Sequence, residues 1–302
     1  ELDIPWVMCA VAPSSWPSVM DPNLYPGMPD RDRYPAWTIR VGTMVASLAI
    51  DRAIDPHLNA IRRTLGLPPQ RHAMLRGQFS SSMNLGLWSR SYRPPCQDDP
   101  SPSRIVGFPG FPHAGQELPP ELLEGIEEAR SLERPVAVWS LGTTAVHAGS
   151  SRMEDFITAS RDCGYVPVVL TGSEGAAEQA RSRDGVLAFA YAPHELLFPK
   201  VDAVVHHGGI GTTAAVLRAG VPAVVVPFTH DQPDNARRLR MHGVGVTVRR
   251  RERSPDRFRA DMADALRMIR SDRVRRSATE MRERIESEPW ETQVIEAVES
   301  VV

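Results

Sequence analysis

The densest chemistry in the chain lies in VDAVVHHGGIGTTAAVLRAGVPAVVVP, residues 201–227. An apolar run ends in His206 and His207. Gly208, Gly209 and Gly211 follow, and Thr212 and Thr213 open a segment of helical spacing. Glycines permit a tight turn and let a ligand approach the backbone closely. The uncommitted N–H groups of a helix start, with the positive end of the helix dipole, attract an anion. The hydroxyls of Thr212 and Thr213 and the His207 imidazole can add hydrogen bonds to phosphate oxygens. Without a ligand, the same segment is a Gly-rich turn packing a helix on a strand. It is not a Walker loop, because no Gly-Lys-Ser/Thr follows. It matches GxGxxG poorly, and no acidic residue ends a following strand as a nicotinamide site wants. A metal held by His206 and His207 together is disfavoured, because neighbours on a strand point to opposite faces.

Three further loops carry related chemistry. In PFTHDQPDNA (227–236), Asp231 and Gln232 present acceptors and donors suited to sugar hydroxyls. On its own this segment is better read as a helix start capped by Asp231 or Asp234. TTAVH (143–147) places Thr143, Thr144 and His147 after an apolar run, and YAPHELL (191–197) places backbone groups of Ala192 between Tyr191 and Pro193. All four loops are expected at strand ends on one rim. A phosphate cradle, a hydroxyl-binding pair and a backbone slot for a base together describe a nucleotide-sugar pocket.

The elements that would position these loops form a regular alternation. From Glu121 onward, apolar runs at Pro135–Leu141, Val166–Leu170, Val186–Tyr191, Ala203–His207, Val221–Val226 and Val244–Val248 alternate with helical segments at 120–131, 151–163, 174–182, 194–197, 212–219 and 232–241. Short continuous apolar runs separated by helices predict an α/β fold whose parallel sheet is covered on both faces. Such sheets bind ligands at the carboxyl ends of their strands. From Arg249 to Arg284, Phe258, Met262, Leu266 and Ile269 recur at helical spacing among Arg, Asp and Glu, which predicts a solvated amphipathic helix rather than a nucleic-acid patch.

Residues 1–112 are less regular. A strand is expected at Ile4–Val11. A Pro-rich loop leads to a helix over Ala36–Leu65, with Ile39, Met44, Leu48, Ile54, Leu58, Ile61 and Leu65 at helical spacing. Gly66 and Pro68-Pro69 stop it. Short apolar pieces lie at Leu85–Trp88 and Ile105–Phe108, and residues 109–120 have linker composition. Trp16, Tyr25, Tyr34, Trp37 and Met44 are candidates for lining an acceptor, with core packing the favoured alternative.

Composition narrows the function class. At about 150 residues per domain, the 302 residues suggest two domains or one large one. Net charge is −2, so no global basic field points to nucleic acid or an anionic membrane. Lys200 is the only lysine. Cys9, Cys96 and Cys163 are far apart and form no CxxC, which argues against a disulfide framework or zinc knuckle and for a reducing compartment, hence the cytoplasm. The longest apolar run, Val41–Ile50, is bounded by Arg40 and Asp51-Arg52 and is shorter than the roughly 18 residues a membrane span needs. The first residues lack the basic region of a signal peptide.

Residues 186–240 resemble the donor-binding region of GT-B fold glycosyltransferases that use nucleotide-sugars, the group acting on sterols, macrolides, glycopeptides and plant natural products. HHGGIGTTAAVLRAGVPAVVVPFTHDQPDNA carries the resemblance, and GQFSSSMNLGLWSR (77–90), IVGFPGF (105–111) and VAVWSLGTTAVHAG (136–149) extend it loosely. It implies a remnant of an acceptor-binding domain at 1–112, a nucleotide-sugar-binding domain at 113–285, and a closing helix at 286–302 that crosses back to the N-terminal part. By position, His207 matches the histidine that hydrogen-bonds the donor phosphate. Gly209, Gly211, Thr212 and Thr213 match the diphosphate-binding turn and helix start. Asp231 and Gln232 match the acidic-Gln pair that holds the donor sugar. Ala192, beside Tyr191, matches the nucleobase contact, and Thr143 matches the loop near phosphate and sugar. Asn235 and His147 stand close to these positions.

The resemblance also marks a departure. The family's acceptor domain opens with a loop whose histidine is the general base, and no position here matches it. Roughly a hundred residues, several βαβ units, are expected to be absent. The resemblance implies inverting transfer of a hexose or deoxyhexose from a UDP- or dTDP-sugar to a hydroxyl of a hydrophobic acceptor, with no cofactor and no metal required. The alternatives are a non-catalytic donor-binding homologue acting as a partner protein and, less favoured, an epimerase or sugar phosphorylase of similar architecture. With the partner surface of the closing helix partly absent, marginal stability or aggregation is expected.

Overall fold

The computed structural model describes residues 4–26, 28, 34–110, 115–140, 150–249 and 254–301. The chain divides into two compact units, Glu1–Pro109 with Glu288–Val302, and Gly110–Ser287.

In the first unit, β1 (Val7–Ala10), β2 (Met83–Gly86) and β3 (Ser103–Ile105) form a parallel sheet in the order β1-β2-β3, with Val7 opposite Met83 and Asn84 opposite Ser103. Between β1 and β2 runs the 29-residue helix α1 (Ala36–Thr64). Leu85 and Val106 meet Ala297 and Val294 of the last helix of the chain (Trp290–Glu299), so that helix belongs to this unit. Its approach is fixed at Gly107, where φ is +105° and a Cβ would lie 2.8 Å from Trp290 Cβ. Just before that helix, Glu288 Oε1 accepts from Ser89 Oγ at 2.8 Å.

The second unit is built on a six-stranded parallel sheet. Its strands are β4 (Val136–Ser140), β5 (Val166–Leu170), β6 (Leu187–Phe189), β7 (Ala203–His206), β8 (Ala223–Val225) and β9 (Gly245–Thr247). Their order is β6-β5-β4-β7-β8-β9. From β4 the chain winds outward through β5 to β6, then returns to β7 beside β4 and winds the other way. Right-handed crossovers therefore put the two sets of helices on opposite faces, and the carboxyl ends of β4 and β7 meet at the point of reversal. Ser140 stands in register with His206 there.

The helices begin and end where local chemistry allows. α2 (Pro120–Ser131) opens with proline, whose lost N–H has no intrahelical partner at that position in any case. α3 spans Ser150–Asp162, and α4 (Glu174–Arg181) is capped by Ser173, whose side chain accepts from the Ala176 N–H at 3.4 Å. α5 (His194–Leu197), α6 (Ile210–Ala219) and α7 (Gln232–Met241) lie at the reversal-point rim. α6 stops at Gly220, which takes the left-handed conformation at φ +65°.

The Arg-rich tail forms two helices rather than one, α8 (Pro255–Ile269) and α9 (Asp272–Glu286), followed by α10 (Trp290–Glu299). The break falls at Arg270-Ser271, where Ser271 leaves helical geometry at ψ 142° and Asp272 restarts the helix. α8 then packs with α3, burying Phe258, Met262, Leu266 and Ile269 against Trp139, Phe156, Val205 and Val224. α9 packs with α6.

Two expectations for the first unit need correction. Met44, Leu48, Ile61 and Leu65 are exposed, so α1's periodicity marks a helix without marking a buried face. Of the aromatic and Met candidates, Trp16 alone is core, edge-to-face with Trp88 at 4.7 Å. Tyr25, Tyr34, Trp37 and Met44 are exposed.

Candidate functional site

The ends of β7 and β8 carry the described candidates from His207 to Gln232, and Tyr191 and Ala192 follow β6. β7 delivers two histidines with different surroundings. His206, the last residue of the strand, is fully buried, and its Nδ1 accepts the Gly208 N–H at 3.1 Å. Burial, with the charges of His207 and His194, drives its pKa well below the ordinary histidine range, so it is a neutral hydrogen-bond acceptor that shapes the turn. His207 is half-buried. Burial lowers its pKa as well, opposed by the Ser140 main chain and the Asp231 carboxylate. Its Nδ1 has no aligned hydrogen-bond partner among the described residues. The two rings stand at 83° to each other, 6.5 Å apart, as neighbours on a strand should.

Two glycines make this geometry possible. Gly208 has φ +88°, and a Cβ would lie 2.8 Å from Val225 Cγ1 and 3.0 Å from the Gln232 carbonyl. At Gly209 a Cβ would fall well inside contact distance of His207 Nε2, with Cε1 at 3.1 Å, so the ring lies across the residue that precedes α6. The first N–H groups of α6 have no intrahelical acceptor. The first such bond runs from the Thr213 N–H to the Gly209 carbonyl at 2.9 Å. Among the described residues, Gly211 has nothing within 4 Å of where its Cβ would be. Ring edge, helix dipole, free N–H groups and open space thus coincide, which is what an anion needs.

The two threonines separate. Thr212 is half-buried; Thr213 is fully buried, and its hydroxyl has no partner among the described residues. Thr212 is therefore the hydroxyl that this helix start offers to solvent.

The loop from β8 to α7 is held from within. Gln232 is buried, and its Oε1 accepts the N–H groups of Phe228 at 2.8 Å and Thr229 at 3.0 Å, closing the turn. Asn235 donates from Nδ2 to the Gly208 carbonyl and to Asp231 Oδ2, both at 2.8 Å, joining the two loops. The expected cap is not formed: Asp231 precedes α7 but makes no side-chain cap bond. Asp234 is buried against the guanidiniums of Arg237 at 3.3 Å and Arg238 at 2.7 Å. His230, at the tip, has φ +53°, an uncommon conformation for a side chain other than glycine.

At the end of β6, Tyr191 is exposed and Ala192 is fully buried, with no hydrogen bond from its backbone among the described residues. Sequence reasoning missed the next residue pair. His194 Nε2 lies 3.0 Å from Ser140 Oγ, linking the start of α5 to the end of β4, and its ring stacks on Phe198 at 4.5 Å. The signal was the Pro-His helix start directly after an apolar run. Glu195 and Arg218, 3.2 Å apart, tie α5 to α6. Thr143, Thr144 and His147 lie outside the described residues.

Residues 166–301 match the family described as erythromycin biosynthesis protein CIII-like, C-terminal domain. A sterol 3-beta-glucosyltransferase of Saccharomyces cerevisiae (strain YJM789) is 32% identical over 189 residues, 60% of this chain and 15% of that protein. An O-mycaminosyltylonolide 6-deoxyallosyltransferase of Streptomyces fradiae is 33% identical over 190 residues, 63% of this chain and 43% of that protein. The chain thus spans less than half the length of either relative. Among solved structures, the glycotransferase of kitacinnamycin superposes with a TM-score of 0.68 at 20% identity, covering 87% of this chain and 67% of the other. The glycosyltransferase VinC, in complex with dTDP, gives a TM-score of 0.61 at 23% identity, covering 88% and 64%. Over residues 166–301 the chain thus resembles the erythromycin biosynthesis protein CIII-like C-terminal domain, on the fold of these two glycosyltransferase structures.

Proposed function

We propose that the second unit binds a nucleoside-diphosphate sugar, UDP- or dTDP-linked, and that the protein transfers its hexose or deoxyhexose, with inversion, to a hydroxyl of a hydrophobic acceptor. The observation that carries this reading is the coincidence at the α6 start: the His207 ring edge, the free N–H groups and the unfilled space at Gly211 lie together at the sheet's reversal point. In this reading His207, the α6 N-terminus and Thr212 receive the diphosphate. Asp231 and the Gln232 amide nitrogen hold the sugar, and the Ala192 backbone beside Tyr191 receives the base. The crystal form of VinC with dTDP and the sugar transfers named for the two relatives support this direction.

In the transfer, the acceptor oxygen attacks the anomeric carbon while a base takes its proton, and the nucleoside diphosphate leaves. Charge growing on the leaving phosphate meets preorganised dipoles, which is worth several kcal/mol in comparable sites. That stabilisation supplies what a divalent cation would supply, so the proposal needs no metal. No residue matched here is assigned the base, a contribution of about 10²–10⁴-fold. A second reading, a donor-binding homologue that serves a partner protein, keeps the same donor contacts without the transfer step.

Titration calorimetry of the chain and of His207→Ala with UDP and dTDP tests the donor site. Binding by the parent, weakened about 10- to 150-fold in the variant, is expected for loss of one charge-assisted hydrogen bond. A folded protein that binds neither nucleotide refutes the proposal. Binding without sugar transfer to any sterol or macrolide acceptor selects the second reading.

A further inference from the structure

The outer face of α1 combines two features, an exposed apolar stripe and an excess of arginine. Trp37, Val41, Met44, Val45 and Leu48 are all exposed. At 100° per residue they fall within one stripe along the first half of the helix. In the second half the same side carries Arg52 and Arg63, both exposed, together with the less exposed Asp51 and Asp55, and Arg40 flanks the stripe at its start. Most of the exposed large apolar side chains among the described residues lie in this unit.

Charge around the stripe has one sign. Residues 34–78 contain six arginines (40, 52, 62, 63, 71 and 76), two aspartates and no Glu or Lys, a net +4 inside a chain of net −2. Both aspartates are spent on the following loop. Asp51 Oδ2 meets His72 Nδ1 at 2.5 Å, and Asp55 accepts the N–H groups of His72 at 2.8 Å and Ala73 at 2.9 Å. Arg40, Arg52, Arg63, Arg71 and Arg76 form no ion pair among the described residues. The aspartates are thus engaged by the following loop, while these five guanidiniums, beside a Trp-containing apolar stripe or in the loop after it, have no ion pair among the described residues.

We propose that α1 is an interfacial helix that seats the first unit on an anionic lipid surface. A helix that lies in the headgroup region shows this arrangement, with aromatic and aliphatic side chains to the acyl boundary and basic side chains to lipid phosphates. The apolar run Val41–Ile50 is too short to cross a bilayer, and no described helix is long and apolar enough to do so. Charge complementarity selects the lipid over a second copy of this chain, because a second copy would bring the same positive charge to the contact. The proposal does not depend on the donor site, which lies in the other unit.

Co-sedimentation of the full 302-residue chain with vesicles tests it. One set is phosphatidylcholine alone and the other contains phosphatidylglycerol as well. Binding to the anionic vesicles, much weaker to the neutral ones and falling as salt rises, is expected. Trp37→Glu combined with Leu48→Glu, and separately Arg52→Glu combined with Arg63→Glu, should each weaken binding at least about tenfold. All four positions are exposed, and circular dichroism melts check that the fold is kept. A folded chain that ignores anionic vesicles overturns the proposal, as does vesicle binding that all four substitutions leave intact. Sedimentation velocity showing a dimer that the Trp37 and Leu48 substitutions dissociate, with no vesicle binding, assigns the stripe to a second copy instead.

Discussion

Replacing Gly209 with alanine separates what the His207 ring contributes from what the turn contributes. Gly209 has φ −61° and ψ 144°, which any residue adopts, so alanine introduces no backbone strain. Its Cβ would collide with His207 Nε2 and crowd Cε1 at 3.1 Å and Cδ2 at 3.2 Å. The imidazole can rotate, whereas the backbone beside it is fixed by the bonds from Gly208 to His206 and Asn235, so the ring yields. The cost in the free protein is small. Alanine is a poorer residue than glycine before a helix, but it also restricts the unfolded chain, and the two effects oppose each other at up to about 1 kcal/mol each. The cost in binding is the lost bond from His207 to phosphate, about 1.5–3 kcal/mol for a charged partner. That corresponds to about 10- to 150-fold in Kd. Calorimetry with UDP and dTDP on the parent, Gly209→Ala, His207→Ala and the double variant closes the cycle. If ring displacement is the whole effect, the double variant binds no more weakly than His207→Ala. A further tenfold loss in the double variant, or an unchanged affinity in Gly209→Ala, refutes the reasoning.

Two more expectations follow from the same rim. Gly211→Ala places a methyl group where no atom of the described residues lies within 4 Å. It should raise thermal stability by up to about 1 kcal/mol through helix propensity while weakening nucleotide binding; undiminished affinity would put the phosphate elsewhere. His206 is held neutral by burial, so below about pH 6.5 the unfolded chain takes up a proton that the native state does not. Stability should then fall with pH, by at most about 1.4 kcal/mol per pH unit for this group. Urea unfolding between about pH 7 and pH 5 should show a shallower dependence in His206→Asn, and an unaltered slope would place the acid sensitivity elsewhere.

The second unit was legible because its strands are buried on both faces and its helices are not. Val166–Leu170, Pro120–Ser131 and Gln232–Met241 appear with the expected boundaries, while Val221–Val226 shrinks to Ala223–Val225, since apolar runs outlast the ladder. Strand order was not legible from pattern. β4 and β7 are adjacent although more than 60 residues separate them, and only pairing reveals the reversal point. The first unit defeated the pattern for a different reason. β2 and β3 are four and three residues long and include Asn84, Ser103 and Arg104, so neither carries an apolar run. The break between α8 and α9 was hidden because a Ser-Asp helix start is silent in a periodicity that simply continues.

At the site, residue types predicted location better than role. Strand end, glycine turn and helix start place His207, Gly209, Gly211 and Thr212 together, as the spacing implied. Within the next loop the roles invert. Asp234, a plausible cap by sequence, answers Arg237 and Arg238 three and four residues on. Gln232, read as a sugar ligand, spends its oxygen on two backbone N–H groups and leaves only its amide nitrogen uncommitted. Such double duty constrains the chemistry, because substituting Gln232 alters loop shape and ligand contact together, whereas the neighbouring histidines are cleanly divided. Strand alternation sends His206 inward, where burial keeps it neutral and bound to Gly208, and leaves His207 at the rim with its Nε2 edge over Gly209. An anion arriving at the α6 start can change the protonation of His207 alone, so a pH effect on binding and a pH effect on folding can be traced to adjacent residues and separated by single substitutions.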